Sequence, residues 1–506
     1  MTGRLVNTLL ALSAAGLLIL VFPPFGFAWL APIALTPLLV ACAREDSWKR
    51  RFALGYGAGV VYWFGICHWI QWTLEHHGGM GGSLAWVLFA MFCLAKALQT
   101  GVFAIAAGVV IRKWYAAPAI AAMWTALEWT HRYTGFEWLN LGNAASDMAM
   151  LPLRLAPVTG VWGISFLLAL GGAVIACAVV AMTMNTGQRP AVWLFAVPVL
   201  LLFPNLPAEQ HGTATAVVVQ PNIDDDSVWT DDLLASTERQ MRLFSLTAAG
   251  REGAAAVIVW PEVPAPFYEA DRPFMEFVSS IAKQARAAVL TGVVARTASG
   301  EPLNSALLVD EEGKRVSRYD KVNLVPFGEF VPWPFGLVTQ KVSTEAGDFA
   351  AGSQVVVSDL GGHKIGTFIC YESAFPSYIR QFAAAGAQVF FNISNDSWFG
   401  RTAARYQHLL LVRMRAAEND RWIVRSTNDG ISGVIDPAGR VGLTLPEYQE
   451  AAARVQYNYI ADETFYTRHG DWFVLACWVI SIAAVAASSL PHKSTVARQP
   501  ARESLR

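Results

Sequence analysis

A carboxylate, an ammonium and a thiol stand at the ends of apolar, strand-like runs in the second half of this chain. Glu262 lies in Val259-Trp-Pro-Glu-Val-Pro264, Lys321 in Tyr319-Asp-Lys-Val-Asn-Leu-Val-Pro-Phe-Gly-Glu329, and Cys370 in Lys364-Ile-Gly-Thr-Phe-Ile-Cys-Tyr-Glu-Ser373. The last run breaks into a helix-like stretch from about Ala374. A strand-to-helix turn of this kind presents its side chain at the end of a sheet, which suits a nucleophile. A thiol is a poor nucleophile while protonated, with an ordinary pKa of about 8.5, and a carboxylate such as Glu262 can take its proton. Lys321, helped by the backbone N–H of Tyr371, can stabilise the oxyanion that forms on an attacked carbonyl; one such donor is worth about 2.7–4 kcal/mol in the transition state. Each residue alone has a bland reading: a buried structural cysteine, a loop glutamate beside two prolines, a surface lysine. In this order, each at a strand end, they form a catalytic set.

The other cysteines sharpen that reading. Of six, Cys42, Cys67, Cys93, Cys177 and Cys477 lie inside long apolar segments, so Cys370 has neither a disulfide partner nor a second thiol for a metal site. Nothing requires a metal or organic cofactor. The elements that must position the set read as alternating strands and helices. Ala214–Val219, Ala255–Trp260, Val289–Ala295, Ser305–Val309, Ile365–Ile369 and Val389–Ile393 are expected strands. Asp231–Ala249, Arg272–Ala287, a run from Ala374 to about Ala385, and Ala404–Glu418 are expected helices. Strands alternating with helices imply an α/β layered fold, and continuous apolar runs imply strands covered on both faces. About 250 residues, 213–460, make one domain.

The rest is a membrane protein. The 506 residues are 54% hydrophobic and only 15% charged, with mean hydropathy +0.36, whereas a soluble chain carries about 25% charged residues. The deficit is concentrated in residues 1–205 and 471–490. A span needs about 20 mostly apolar residues, and eight are expected: 6–22, 26–43, 54–73, 84–111, 115–130, 163–184, 190–205 and 471–490. No small-residue cleavage site follows the first run and another apolar run begins at once, so it reads as an uncleaved span. With the N-terminus inside, the inner loops hold Arg4, then Arg44, Lys49, Arg50 and Arg51, then Arg112 and Lys113, then Arg189, and a cytoplasmic tail (491–506) adds Lys493, Arg498, Arg502 and Arg506; the outer loops hold few, such as Arg132 and Arg154. This positive-inside pattern puts the α/β domain on the outer face, in a bacterium the periplasm. The net charge of −1 points to no nucleic-acid partner. His68, Lys96 and Glu128 fall at or near membrane depth, where ionisable groups are functional suspects unless they lie at an interface. His76 and His77 read as an outer loop, not a metal site.

Trp260-Pro-Glu262, Asp320-Lys321 and Cys370-Tyr-Glu372 resemble the Glu-Lys-Cys triad of the nitrilase (carbon–nitrogen hydrolase) superfamily, and Asn392-Ile-Ser-Asn-Asp-Ser-Trp-Phe399 resembles the segment after its nucleophile strand. With spans on both sides, and with Lys321-Val-Asn-Leu-Val-Pro-Phe-Gly-Glu-Phe330 and Asn140-Leu-Gly142, about 490 residues resemble the bacterial apolipoprotein N-acyltransferases. The resemblance implies a nitrilase-like αββα sandwich seated on a membrane α-helical bundle of about eight spans. It implies that Cys370 takes an acyl chain from a phospholipid as a thioester and passes it to the α-amino group of the S-diacylglyceryl cysteine of an apolipoprotein, with Glu262 as general base. It also implies that Glu329 positions the triad, that Glu372 shapes the same pocket, with Tyr371 supporting through its N–H, and that Trp229 lies near the acyl site.

An independent argument favours a lipid. A transferase must exclude the water that would hydrolyse its thioester, and the segment between Lys321 and Cys370 carries Phe327, Phe330, Val331, Trp333, Phe335, Leu337 and Val338. These are expected to form a lid at the membrane surface, with Phe327, Phe330 and Trp333 against the acyl chain, unless the loop simply packs on its own domain. Two other readings stay open at this point. One is a membrane-anchored amidase or nitrilase for a small amide or nitrile, which one span would suffice to anchor. The other is a transporter or binding protein with an inactive outer domain, which predicts a damaged triad.

Overall fold

The computed structural model describes residues 3–489 except 80, 149, 185–188, 196–197, 199–201, 204, 209–211, 225–226, 251–254 and 332–348. Its second half holds twelve described strands: β1 (Ala214–Gln220), β2 (Val257–Val259), β3 (Ala288–Arg296), β4 (Pro302–Val309), β5 (Arg315–Asp320), β6 (Val357–Leu360), β7 (His363–Ile369), β8 (Val389–Ser394), β9 (Ile423–Thr427), β10 (Gly433–Ile435), β11 (Val441–Thr444) and β12 (Ala451–Tyr457). They form two six-stranded sheets, ordered β12-β1-β2-β3-β4-β5 and β11-β10-β9-β8-β7-β6. Each has three parallel central strands, β1-β2-β3 in one and β7-β8-β9 in the other, flanked by antiparallel partners. Parallel neighbours need crossovers. Helices Asp231–Ala249 and Arg272–Ala285 supply them in the first sheet, Pro376–Ala384 and Ala404–Asn419 in the second.

The period-2 alternation of side chains explains the apolar runs. Along β1, Val217 and Val219 join the core under the first pair of helices, with Met241, Phe274 and Ile281. Ala216 and Val218 face the other way, into a core shared with Ile365 and Phe391 of the second sheet. Polar groups pin the sheets together: Ser426 Oγ donates to Val219 O at 2.9 Å, and Ser432 Oγ to Gln220 Oε1 at 2.7 Å.

Four of the described helices are long and apolar enough to cross a membrane: Gly3–Val21, Gly82–Val110, Val161–Met184 and Trp472–Ser489. The other expected spans differ in detail. The run 26–43 is broken into a 3-10 helix, Ala28–Ile33, that contains Pro32, and a helix Thr36–Ala43 with proline in its first turn. The run 54–73 begins earlier and breaks at His68 into Trp48–Cys67 and Trp69–His76. Ala116–Trp129 has 14 residues, about 21 Å of helix at 1.5 Å per residue. Of 190–205, the described part includes a short 3-10 helix, Pro190–Phe195, and much of the remainder lies outside the described residues.

The basic loops meet at one end of this helical part. Arg44 Nε donates to Asn7 Oδ1 (2.8 Å), Arg51 Nε to Glu45 O (2.8 Å), and Arg112 Nη2 to Ala43 O (2.7 Å). The opposite ends of the same helices meet the sheets. Gln407, on Ala404–Asn419, donates to Pro23 O and Ile66 O and accepts from the indoles of Trp69 and Trp138. Trp48–Cys67, a 20-residue helix about 30 Å long, therefore runs from the basic cluster to the sheets, the thickness of a hydrocarbon core.

Three polar groups singled out at membrane depth are accounted for locally. Lys96 Nζ donates to Phe136 O at 3.0 Å and lies 4.7 Å over the Trp63 ring. Glu128 Oε1 accepts from Leu141 N and the Trp124 indole. His68 is exposed. His76 stacks on Trp72, and His77 on Trp398 of the sheet domain.

Candidate active site

Glu262 follows β2, Lys321 follows β5 directly, and Cys370 follows β7 directly, so three strand ends from both sheets converge. Gly292 on β3 lets the Glu262 loop come close: a side chain there would run into the backbone of Pro261, Glu262 and Val263. At the centre is a buried ionic cluster. Lys321 Nζ lies 2.9 Å from Glu262 Oε1 and 2.9 Å from Glu329 Oε1. Asn304 Nδ2, from β4, donates to the same two oxygens at 2.7 and 2.6 Å. The second oxygen of Glu262 accepts from Asn395 N (2.9 Å), that of Glu329 from Val325 N (2.8 Å). Every oxygen of the two carboxylates is thus engaged, and the ammonium is fixed between them. Burial works against a charge on Lys321, but the two carboxylates hold its ammonium well above the ordinary lysine range.

Cys370 opens the 3-10 turn Cys370–Ala374 with φ +48. A non-glycine residue in the left-handed region stores strain that its surroundings must hold. Two groups hold it. His408 Nε2, from the helix Ala404–Asn419, donates to the carbonyl of Cys370 at 3.0 Å; its Nδ1 meets Asp396 Oδ1 at 3.0 Å, and Arg425 anchors Asp396 at 2.7 Å. Burial alone would raise the Asp396 carboxyl, but Arg425 and His408 hold it far below the usual range. On the other side Glu372 is fully buried and accepts four hydrogen bonds: Tyr319 OH, Val322 N and Asn323 N on Oε1, and Ile369 N on Oε2. One carboxylate therefore ties the residues after Lys321 to the residue before Cys370.

Burial, and next the Glu262 charge, push the Cys370 thiol above its ordinary range; Lys321 and a hydrogen bond from Ser394 pull the other way. A thiol held above its ordinary range is a weak nucleophile unless a base takes its proton, and Glu262, whose charge acts on the thiol and whose Oε1 bonds Lys321, is the candidate base expected from the sequence.

The supporting residues fall as follows. Tyr371 OH donates to Gly135 O of the membrane part at 2.7 Å, and its ring lies 6.2 Å from Trp138. Phe327, with φ +63, packs with Val331 against Leu74 and Ala85 of the membrane part. Phe330 lines a cavity of about 450 Å³ with Val322, Leu324 and Phe375. Trp229 sits one residue before the cap of Asp231–Ala249, half-buried against the core beneath that helix. Trp333, Phe335, Leu337 and Val338 lie outside the described residues. Asn304, Tyr319, His408 and Arg425 were not anticipated. Asn304 had at most one signal, an amide just before the expected strand Ser305–Val309; Asp396 lay in a segment already marked by resemblance.

The carbon-nitrogen hydrolase family model matches residues 215–462, and the apolipoprotein N-acyltransferase N-terminal domain model matches residues 14–174. The apolipoprotein N-acyltransferase of Geobacter metallireducens is 33% identical, covering 96% of this chain and 96% of its own. That of Vibrio vulnificus is 28% identical, covering 96% of this chain and 97% of its own. Among solved structures, the NitFhit protein of C. elegans is 20% identical over 49% of this chain and 62% of its own, with a TM-score of 0.39. The two-sheet half has the nitrilase-like fold of the carbon–nitrogen hydrolases, and with its membrane part the chain belongs to the apolipoprotein N-acyltransferase family.

Proposed function

We propose that this protein transfers an acyl chain from a phospholipid to the N-terminal amine of the S-diacylglyceryl cysteine of apolipoproteins, in two steps through Cys370. In the first, Glu262 takes the thiol proton and the sulfur attacks the ester carbonyl. Lys321 and the Tyr371 N–H stabilise the oxyanion. The carbon–oxygen bond then breaks, Glu262 returns the proton to the leaving lysophospholipid, and an acyl-thioester remains. In the second, the acceptor amine attacks the thioester, Glu262 takes a proton from it, the carbon–sulfur bond breaks and the thiol is restored. This is ping-pong covalent catalysis. Glu329 positions Lys321; Trp229, Phe327, Phe330 and Trp333 are the proposed acyl-chain contacts.

The proposed architecture is an eight-span membrane protein of the bacterial inner membrane. An N-terminal membrane domain (1–205) is followed by a periplasmic αββα domain (213–460), a last span (471–490) and a cytoplasmic tail (491–506). The basic cluster of Arg44, Arg51 and Arg112 supports the orientation.

One observation carries the transferase reading over an anchored amidase: the catalytic segments pack on the membrane part itself. Phe327 and Val331 rest on Leu74 and Ala85, and Tyr371 bonds to Gly135. A small-amide hydrolase needs a tether, not segments beside Lys321 and Cys370 that pack on the membrane part. The test is to incubate the purified protein with a phospholipid carrying a labelled acyl chain, without acceptor, and to weigh the peptide containing Cys370. A hydroxylamine-sensitive acyl adduct, absent in Cys370→Ala, is expected. An unmodified Cys370 in folded protein would overturn the mechanism and favour the amidase.

A further inference from the structure

The cavity beside Lys321 holds a group that the chemistry at Cys370 does not call for. Its walls are tied to the catalytic segments. Val322 follows Lys321, Phe375 ends the turn that begins at Cys370, and Gly135 accepts the hydroxyl of Tyr371. The described lining is largely apolar, and among those residues the one cation is Arg132. Arg132 comes from the membrane part, in the 3-10 turn Thr130–Thr134 that follows Ala116–Trp129. It is held in place. Nη1 donates to Asp471 Oδ2 at 2.6 Å, and the guanidinium lies 5.0 Å over the Trp129 ring. Asp471, at the start of the last apolar helix, is fixed in turn by the indole N–H groups of Trp129 (2.9 Å) and Trp162 (3.0 Å). The Arg132 side chain keeps about 30% of its exposure.

A preorganised guanidinium at the rim of an apolar cavity matches an amphipathic anion. Arginine offers a planar fork of donors that fits the paired oxygens of a phosphate, and one nitrogen on Asp471 leaves the others for a ligand. Lys321, a second cation nearby among the described residues, is engaged by Glu262 and Glu329. We propose that Arg132 binds the phosphodiester of the acyl-donor lipid and so seats the adjoining glycerol ester toward Cys370. This rests on the phospholipid-donor reading above. Its consequence is a specificity: the protein reads the phosphate, which all such donors share, and tolerates what the head group carries beyond it.

The experiment uses the full-length chain in detergent or nanodiscs and measures the rate of acyl-Cys370 formation by peptide mass. The donors are phosphatidylglycerol, phosphatidylethanolamine and diacylglycerol with the same labelled chains. The proteins are wild type, Arg132→Lys and Arg132→Gln. Wild type is expected to use both phospholipids at least about tenfold faster than diacylglycerol, the scale of one hydrogen-bonded charge. Arg132→Gln is expected to bring that ratio close to one, and Arg132→Lys to keep part of it. A partly unfolded variant slows every donor alike and leaves the ratio unchanged, so the ratio isolates phosphate recognition from structural damage. A wild-type ratio near one, or an Arg132→Gln ratio equal to wild type, would overturn the proposal. So would excess inorganic phosphate that slows phospholipid and diacylglycerol equally, since that marks a site for free anions. If no donor acylates Cys370, the failure lies with the donor reading itself, and this proposal falls with it.

Discussion

Glu372→Gln probes how the thiol and the ammonium are held at a fixed separation. The native carboxylate is fully buried, with three donors on Oε1 (Tyr319 OH at 2.6 Å, Val322 N at 2.8 Å, Asn323 N at 3.1 Å) and one on Oε2 (Ile369 N at 2.8 Å). Glutamine has the same shape. With its carbonyl in the Oε1 position, three donors keep an acceptor, and the amide N–H₂ then faces the Ile369 N–H, donor against donor. Losing that bond and stranding one buried backbone donor costs about 1–3 kcal/mol. Burial pushes this carboxyl above its usual range, while its four hydrogen bonds pull the other way. Glu372→Ala is far worse. Four buried donors lose their acceptor, at about 1 kcal/mol or more each, against a net stability of about 5–15 kcal/mol for a whole fold. The assay is denaturant or thermal unfolding in detergent, paired with the rate of Cys370 acylation. Glu372→Gln is expected to lose about 1–3 kcal/mol and to slow acylation about tenfold to a hundredfold, since small misplacements of reacting groups are that costly. Glu372→Ala is expected not to accumulate as folded protein. A Glu372→Gln enzyme with native stability and native rate, or a well-folded Glu372→Ala, would refute the clamp.

Three further outcomes are expected. Lys321→Met leaves Glu262 and Glu329 buried without their cation, which should cost about 3–5 kcal/mol of stability on top of activity; unfolding measurements that match wild type would count against an ionised cluster. Glu137, buried in the segment between Ala116–Trp129 and Val161–Met184, has its carboxyl pushed up to about 8, first by burial. An acid with a raised native pKa holds its proton in the folded state only, so wild-type stability should fall as pH rises from about 4.3 to about 8. In Glu137→Gln that slope should be reduced, and parallel stability–pH curves would sink the assignment. Gln407→Leu strands two indole N–H groups and two carbonyls on both sides of the junction between the halves. It should cost about 4 kcal/mol or more, read by unfolding; a change under about 1 kcal/mol would show that the junction is not held there.

What the residues disclosed in advance follows from where the physics is local. Apolar strands covered on both faces, such as Val289–Ala295 and Val389–Ile393, are visible as runs, and the amphipathic crossover helices as periodic stretches. Strands β5, β6, β9, β10, β11 and β12 were not read: β5 is Arg-Val-Ser-Arg-Tyr-Asp, half polar, and β12 opens on three alanines, with little β-branched signal. Glu262, Lys321 and Cys370 could be singled out as a candidate set because chemistry restricts their types. Asn304 and His408 were not, because an amide or imidazole becomes a positioning group only when the fold brings a distant partner, 42 residues away for Asn304 and Glu262 and 38 for His408 and Cys370. The break within the expected span 26–43 was missed for the opposite reason. Hydropathy counts composition, whereas Pro32 and Pro37 act on backbone hydrogen bonding.

The junction between the halves bears on why a hydrolase-like site could serve transfer. Residues 134–137 form a strap gripped from both sides. Lys96 of the membrane part holds Thr134 Oγ1 and Phe136 O, while Tyr371, next to Cys370, holds Gly135 O. Phe136 and Trp138 then lie against the Tyr371 ring at 6.3 and 6.2 Å. A buried lysine and a buried phenol that clasp adjacent carbonyls fix the nucleophile turn relative to the membrane helices by directional bonds, which resist sliding where an apolar contact would permit it. The same aromatic rings cover Tyr371, the residue after Cys370. An acyl-thioester survives until an amine arrives only if water is excluded while the acyl chain stays seated. In the two-step reaction proposed above, transfer needs no catalytic group beyond Glu262, Lys321 and Cys370; what it adds is the membrane part clasped to the turn that begins at Cys370.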